Sequence, residues 1–146
     1  MSEQVSWRTI SGGAPYALME KERPAQQVAE IGYVIGDVKG KTAVIVDDII
    51  DTGGTLAAAA QTVIDEGAER VYAVATHGIF SGNAFATLES SPLAGILVTD
   101  TVPLRDGSPP EMVRQLTCSD ILTDSIRRIF TDDSVSEIFA GENQLF

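Results

Sequence analysis

Val44-Ile45-Val46-Asp47-Asp48-Ile49-Ile50-Asp51-Thr52-Gly53-Gly54-Thr55 sets the architecture of this chain. It begins inside Thr42-Ala43-Val44-Ile45-Val46, a short, continuous β-branched run. That is the pattern of a parallel strand buried on both faces. Residues 55–66 are rich in strong helix formers, with Ala57, Ala58, Ala59 and Ala60 in a row, and Gly67 follows as a C-terminal stop. Between strand and helix stand an acidic pair and a glycine turn. In open α/β sheets this is where ligands bind, beyond the carboxyl end of a strand.

The same alternation runs on through the chain. Arg70-Val71-Tyr72-Ala73-Val74-Ala75-Thr76 reads as a second buried strand, with a loop over 77–82 and a short helix over 83–89. Ile96-Leu97-Val98-Thr99 and residues 112–117 read as two more strands, with a loop at Asp106-Gly107-Ser108-Pro109-Pro110 between them. Ser119 or Asp120 is placed to cap a helix over 121–130, with Ile121, Leu122, Ile126 and Ile129 on its apolar face. Upstream, Tyr16-Ala17-Leu18-Met19 suggests a strand, and the charged segment 20–29, with Pro24 inside it, suggests a mobile loop. Strands alternating with helices predict an α/β fold with a mostly parallel sheet flanked by helices. The expected organisation is an irregular segment over 1–15 and a single domain over 16–146.

The loop itself suggests a chemistry. Glycines let backbone N–H groups converge without a Cβ in the way. With the hydroxyls of Thr52 and Thr55 and the positive end of the helix dipole, they can cradle one phosphate. Asp47 and Asp48 would repel that phosphate, so they must face something else, and sugar hydroxyls are donors that carboxylates accept strongly. A pentose 5-phosphate has both ends. A Walker A loop is excluded because no lysine follows Gly54, and a dinucleotide fingerprint is excluded because the Gly-x-Gly-x-x-Gly spacing is missing.

Composition bounds the alternatives. The chain has 146 residues, 44% of them hydrophobic, enough for one domain with a real core. A formal net charge of -11 disfavours nucleic acid as a partner. The single cysteine, Cys118, cannot form an internal disulfide, and a buried reduced thiol is expected. The N-terminus lacks the basic and apolar regions of a signal peptide, and no apolar run approaches the roughly 18 residues needed to span a bilayer. The expected location is the cytoplasm.

The loop resembles the phosphoribosyl diphosphate binding motif of type I phosphoribosyltransferases, and the wider pattern resembles the ribose-phosphate diphosphokinases, or phosphoribosyl-pyrophosphate synthetases. Val34-Ile35-Gly36-Asp37-Val38-Lys39-Gly40-Lys41 precedes the strand. Ala75-Thr76-His77-Gly78-Ile79-Phe80-Ser81-Gly82 and Val98-Thr99-Asp100-Thr101-Val102-Pro103-Leu104 follow in the family's order. Ser125-Ile126-Arg127-Arg128-Ile129-Phe130 and Ser134-Val135-Ser136-Glu137-Ile138-Phe139 complete the series.

The resemblance implies a type I phosphoribosyltransferase fold and transfer of a diphosphoryl group from Mg-ATP to the 1-hydroxyl of ribose 5-phosphate, a step of nucleotide biosynthesis. It implies Lys21 and Arg23, in Lys21-Glu22-Arg23-Pro24, as catalytic cations, although Glu22 stands where a basic residue is common. It implies Asp47, Asp48, Asp51, Thr52, Gly53, Gly54 and Thr55 as ribose 5-phosphate ligands, Ser134 and Ser136 as the lining of a regulatory anion site, and His77 either at the site or packing its loop. Magnesium is implied as cofactor, with no ligands assigned.

Family members are about twice as long, so the chain resembles a C-terminal half truncated at its N-terminus. Its expected partners are then ribose 5-phosphate, ATP and another protein chain, in a homo-oligomer or with an N-terminal-domain subunit. Two other functions remain open: a non-catalytic regulatory subunit of a full-length synthetase, and a phosphoribosyltransferase acting on a base.

Overall fold

The computed structural model describes residues 15, 17–25, 28–104 and 109–139, and of residues 18–25 and 28–33 only the backbone. Most of the expected N-terminal segment, and Asp106, Gly107 and Ser108, lie outside the described residues. The chain divides into two compact units, Ala17–Leu116 and a second whose described part is residues 15 and 117–139.

The first unit opens with an antiparallel hairpin of β1 (Leu18–Ala25) and β2 (Val28–Ile35). This corrects the loop expected over 20–29. Charged residues tolerate a two-stranded ribbon because neither face has to be buried. Pro24 falls in the register break between Glu22 and Ala25, where a residue without an N–H costs no ladder bond.

A four-stranded parallel sheet follows, in the order β3 (Thr42–Ile50), β4 (Arg70–Gly78), β5 (Leu93–Thr99), β6 (Val113–Leu116). Helix α1 (Gly54–Asp65) links β3 to β4, and α2 (Ala84–Glu89) links β4 to β5. The α/β class is therefore as read from the sequence, though β3 and β4 run on past the expected ends, so that His77 and Gly78 belong to a strand.

Helix α1 stops as Gly67 requires. With φ +92°, Gly67 donates its N–H to the Ile64 carbonyl at 2.8 Å, and Ala68 donates to the Val63 carbonyl at 3.2 Å. This pair of bonds satisfies two orphan carbonyls in a Schellman closure. Leu56, Ala59, Ala60 and Val63 of α1 pack with Ile45, Val71, Ala73, Val98 and Leu88 in one core.

Burial of β3 on both faces did not hold. Ile45 is buried, but Val44 is 54% and Val46 48% exposed. The core with α1 and α2 forms on one side of the sheet. The other side is a shallow depression of about 740 Å³ lined by Val44, Tyr72, Val74, Gly95, Leu97 and Arg114 among others. A β-branched run meets the need of either arrangement, so it cannot tell them apart.

The second unit holds α3 (Ser119–Phe130) and a 3-10 helix, Val135–Phe139. Helix α3 begins earlier than expected. Cys118 occupies the cap position without a side-chain bond, which puts Ser119 and Asp120 inside the first turn rather than at the cap. Asp120 in the first turn and Arg127 and Arg128 in the last still complement the helix dipole. Ile121, Leu122, Ile126 and Ile129 line up at helical spacing, but all are exposed. Cys118 is half-buried rather than buried.

Candidate functional site

Strand β3 delivers its acidic pair to the carboxyl edge of the sheet. Asp47 and Asp48 are both exposed, and the Asp48 N–H donates to Asp47 Oδ1 at 2.9 Å. The chain then turns through Asp51 and Thr52 into Gly53, which takes φ +78° and forms the N-terminal cap of α1. Gly53 brings no side chain to cap this helix, so the first-turn N–H groups receive no bond from the cap residue. Asp51, Thr52, Gly54 and Thr55 are exposed around that end. The two glycines have different tasks. A Cβ on Gly53 would lie 2.8 Å from Leu88 Cγ, whereas one on Gly54 would meet nothing within 4 Å. Gly53 is demanded by packing and backbone, and Gly54 leaves open space in front of the helix.

A second turn buttresses the first. After β4, the N–H groups of Ile79 and Phe80 donate to the Ile50 carbonyl at 2.9 and 3.2 Å, and that of Ser81 donates to the Asp51 carbonyl at 3.1 Å. The Ser81 hydroxyl donates to Asp51 Oδ1. Phe80 has a positive φ of 49°, uncommon for a bulky residue, and its buried ring packs 4.9 Å from that of Phe85. Gly78 makes room for that ring, since a Cβ there would lie 2.4 Å from Phe80 Cε2.

Farther along the same edge, His77 Nδ1 lies 2.8 Å from Thr101 Oγ1, and the Thr99 hydroxyl donates to the Thr76 carbonyl at 2.6 Å. The sequence had singled out the stretches containing Ser81, Thr99 and Thr101, but not these tasks. Parallel register, which pairs Ile50 with Gly78 and His77 with Thr99, is what brings them together.

The other expected site residues belong to other segments of the chain. Lys21 and Arg23 fall on β1, and their side chains are outside the described part. Ser134 and Ser136 are in the second unit. There Arg128 donates to the Ser134 carbonyl at 2.9 Å and to Glu137 at 2.7 Å, and the hydrogen bond to Glu137 holds the guanidinium pKa above its ordinary value. An anion arriving beside Ser134 would have to compete with Glu137. Among the described residues, no group of three or more His, Cys, Asp or Glu side chains is arranged to hold a metal ion. Magnesium commonly takes only one or two carboxylates and completes its shell with water and substrate phosphates, a demand that exposed carboxylates such as Asp47 and Asp48 can meet. No helix of the described residues is long and apolar enough to cross a membrane.

A loop of this geometry, an uncapped helix N-terminus behind an acidic strand end, can hold an anion and a polyhydroxylated neighbour together. Comparison with known proteins identifies the family. The family model of the phosphoribosyl synthetase-associated domain matches residues 13–140. The chain belongs to this family. Among its relatives, the ribose-phosphate pyrophosphokinase of Caldanaerobacter subterraneus subsp. tengcongensis is 44% identical over 126 residues, covering 86% of this chain and 40% of that one. The protein of the same name from a Nostoc species is 47% identical over 126 residues, covering 86% and 38%. The phosphoribosylpyrophosphate synthetase of Mycobacterium smegmatis superposes with a TM-score of 0.76 at 34% identity, covering 86% of this chain and 40% of that one. The fold is thus that of the family, type I phosphoribosyltransferase-like. The chain spans about 40% of the length of these relatives.

Proposed function

We propose that this chain forms the ribose 5-phosphate half of a ribose-phosphate pyrophosphokinase site. The observation that carries the proposal is the uncapped N-terminus of α1 behind Gly53, open to solvent beside the acidic end of β3, in a chain of this family. The phosphate ester sits against the N–H groups of residues 52–55, with the hydroxyls of Thr52 and Thr55 as further donors. Asp47 and Asp48 accept from the ring hydroxyls and fix the sugar's orientation. Held at both ends, the sugar presents its 1-hydroxyl in one direction, which is the entropic part of catalysis.

The reaction is diphosphoryl transfer from ATP. The sugar 1-hydroxyl gives up its proton to solvent, its oxygen bonds to the β-phosphorus, the bond from that phosphorus to the oxygen bridging it to the α-phosphorus breaks, and AMP leaves. Lys21 and Arg23 neutralise charge on the moving group, as cations do in phosphoryl transfer. Magnesium, when bound, supplies further charge neutralisation, and no step is assigned to it on this chain. ATP and a partner chain complete the site.

Calorimetric titration with ribose 5-phosphate, against inorganic phosphate and free ribose, tests the reading. Preferential binding of the sugar phosphate is expected. Equal affinity for phosphate and ribose 5-phosphate would overturn the role given to the acidic pair, and binding of neither would overturn the site.

A further inference from the structure

We infer that Ser81 is a positioning residue for the phosphate loop, acting through the Asp51 carboxylate. The inference rests on the reading of residues 52–55 as an anion-binding loop. Asp51 presents a difficulty for that reading. A carboxylate two residues ahead of Gly53 can accept that glycine's N–H in an Asx turn. It would then compete with the incoming anion for the same donors and repel it. Yet α1 has no side-chain cap, and the Asp51 carboxylate instead accepts from the Ser81 hydroxyl.

The turn that carries Ser81 is fixed independently of this bond. Its N–H groups at Ile79 and Phe80 are anchored on the Ile50 carbonyl, and the Ser81 N–H is anchored on the Asp51 carbonyl. Phe80 holds its left-handed backbone because its ring is buried against Phe85. The Ser81 backbone is therefore placed by this turn, and its side chain reaches the Asp51 carboxylate from there. The hydroxyl draws the carboxylate away from the helix N-terminus and keeps the donors open for the ligand.

The test is a double-mutant cycle read by titration of the full chain with ribose 5-phosphate. Ser81→Ala frees the carboxylate and is expected to weaken binding by about tenfold, the usual worth of one hydrogen bond to a charged group. Ser81→Thr keeps the hydroxyl and restores most of the affinity, which a purely steric role would not do. In the Asp51→Ala background, Ser81→Ala adds nothing, because the group through which it acts is gone. Unchanged binding by Ser81→Ala, or losses that multiply in the double variant, would overturn the inference.

A wild-type chain that binds no ribose 5-phosphate would overturn the proposed function instead. The clasp is then judged without ligand, by amide exchange at Ile79, Phe80 and Ser81. Exchange faster in Ser81→Ala than in Ser81→Thr sustains the clasp, and identical exchange refutes it.

Discussion

Gly53 and Gly54 are adjacent and chemically identical, yet alanine should do opposite things at the two positions. At Gly53 the backbone sits at φ +78°, which costs an alanine about 1–2 kcal/mol. Its Cβ would also lie 2.8, 3.0 and 3.2 Å from three atoms of Leu88, a fully buried side chain with no room to retreat. Overpacking of that kind costs about 1–3 kcal/mol. Together the two give about 2–5 kcal/mol, or a fall of about 1–2 M in the urea midpoint.

Gly54 has neither constraint. It is the first helical residue, and an added methyl meets nothing within 4 Å, so stability should hold or rise by up to about 1 kcal/mol. The open space in front of it is where the proposed ligand sits, so Gly54→Ala should weaken ribose 5-phosphate binding in a chain that unfolds normally. Urea unfolding and titration of the two variants separate the effects. A further check places Gly53→Ala in a Leu88→Ala background, where the clash disappears and only the backbone part, about 1–2 kcal/mol, should remain. Gly54→Ala destabilising as much as Gly53→Ala would refute the reasoning, as would an undiminished cost in the Leu88→Ala background.

Asp47→Ala combined with Asp48→Ala should abolish ribose 5-phosphate binding in titration while leaving the urea midpoint nearly unchanged, because both side chains are exposed. Lys21→Ala should leave that affinity nearly intact and lower only AMP formation in a complete enzyme. A large loss of affinity would show that Lys21 grips the ground-state sugar. Asp37 donates nothing to the site but reports on the turn before β3. Its carboxylate accepts from Lys41 Nζ at 2.7 Å and from the Lys39 N–H at 3.2 Å, which holds its pKa below the ordinary 3.8. A depressed folded-state pKa stabilises above the unfolded value and is lost as pH falls through the folded one. The stability difference between wild type and Asp37→Asn should therefore be flat near neutrality and shrink below about pH 4, as urea midpoints across pH would show. The difference should also be small, because the pair is exposed.

The parts of the fold legible in the sequence were those written in local chemistry. The strand into Asp47, the glycine turn and the helix closed by Gly67 all lie within one short stretch, and each depends on neighbours a few residues away. What was not legible depends on distance. Ser81 and Asp51 are 30 residues apart, and only the pairing of β3 with β4 brings them together. The exposed side of Val44 and Val46 could not be foreseen, because a β-branched run is equally at home in a sheet covered on one face or two. Strands β1 and β2, where a loop was expected, were hidden by their charge, which marks solvent rather than loop. The apolar stripe of α3 was correctly placed at helical spacing, but the pattern says nothing of what covers it. For the candidate site, the same division holds. The loop residues are a reading of the sequence, and the structure adds that Gly53 is held to Leu88 by packing while Gly54 is not.

The most direct test of the central claim is to map ribose 5-phosphate onto the backbone amides by NMR titration, with inorganic phosphate and free ribose in parallel. Saturable shifts are expected at the amides of Thr52, Gly53, Gly54 and Thr55 with both phosphates, and at Asp47 and Asp48 with ribose 5-phosphate alone. Shifts confined to Arg128 and Ser134, or to the open sheet face around Val74 and Leu97, would contradict that claim.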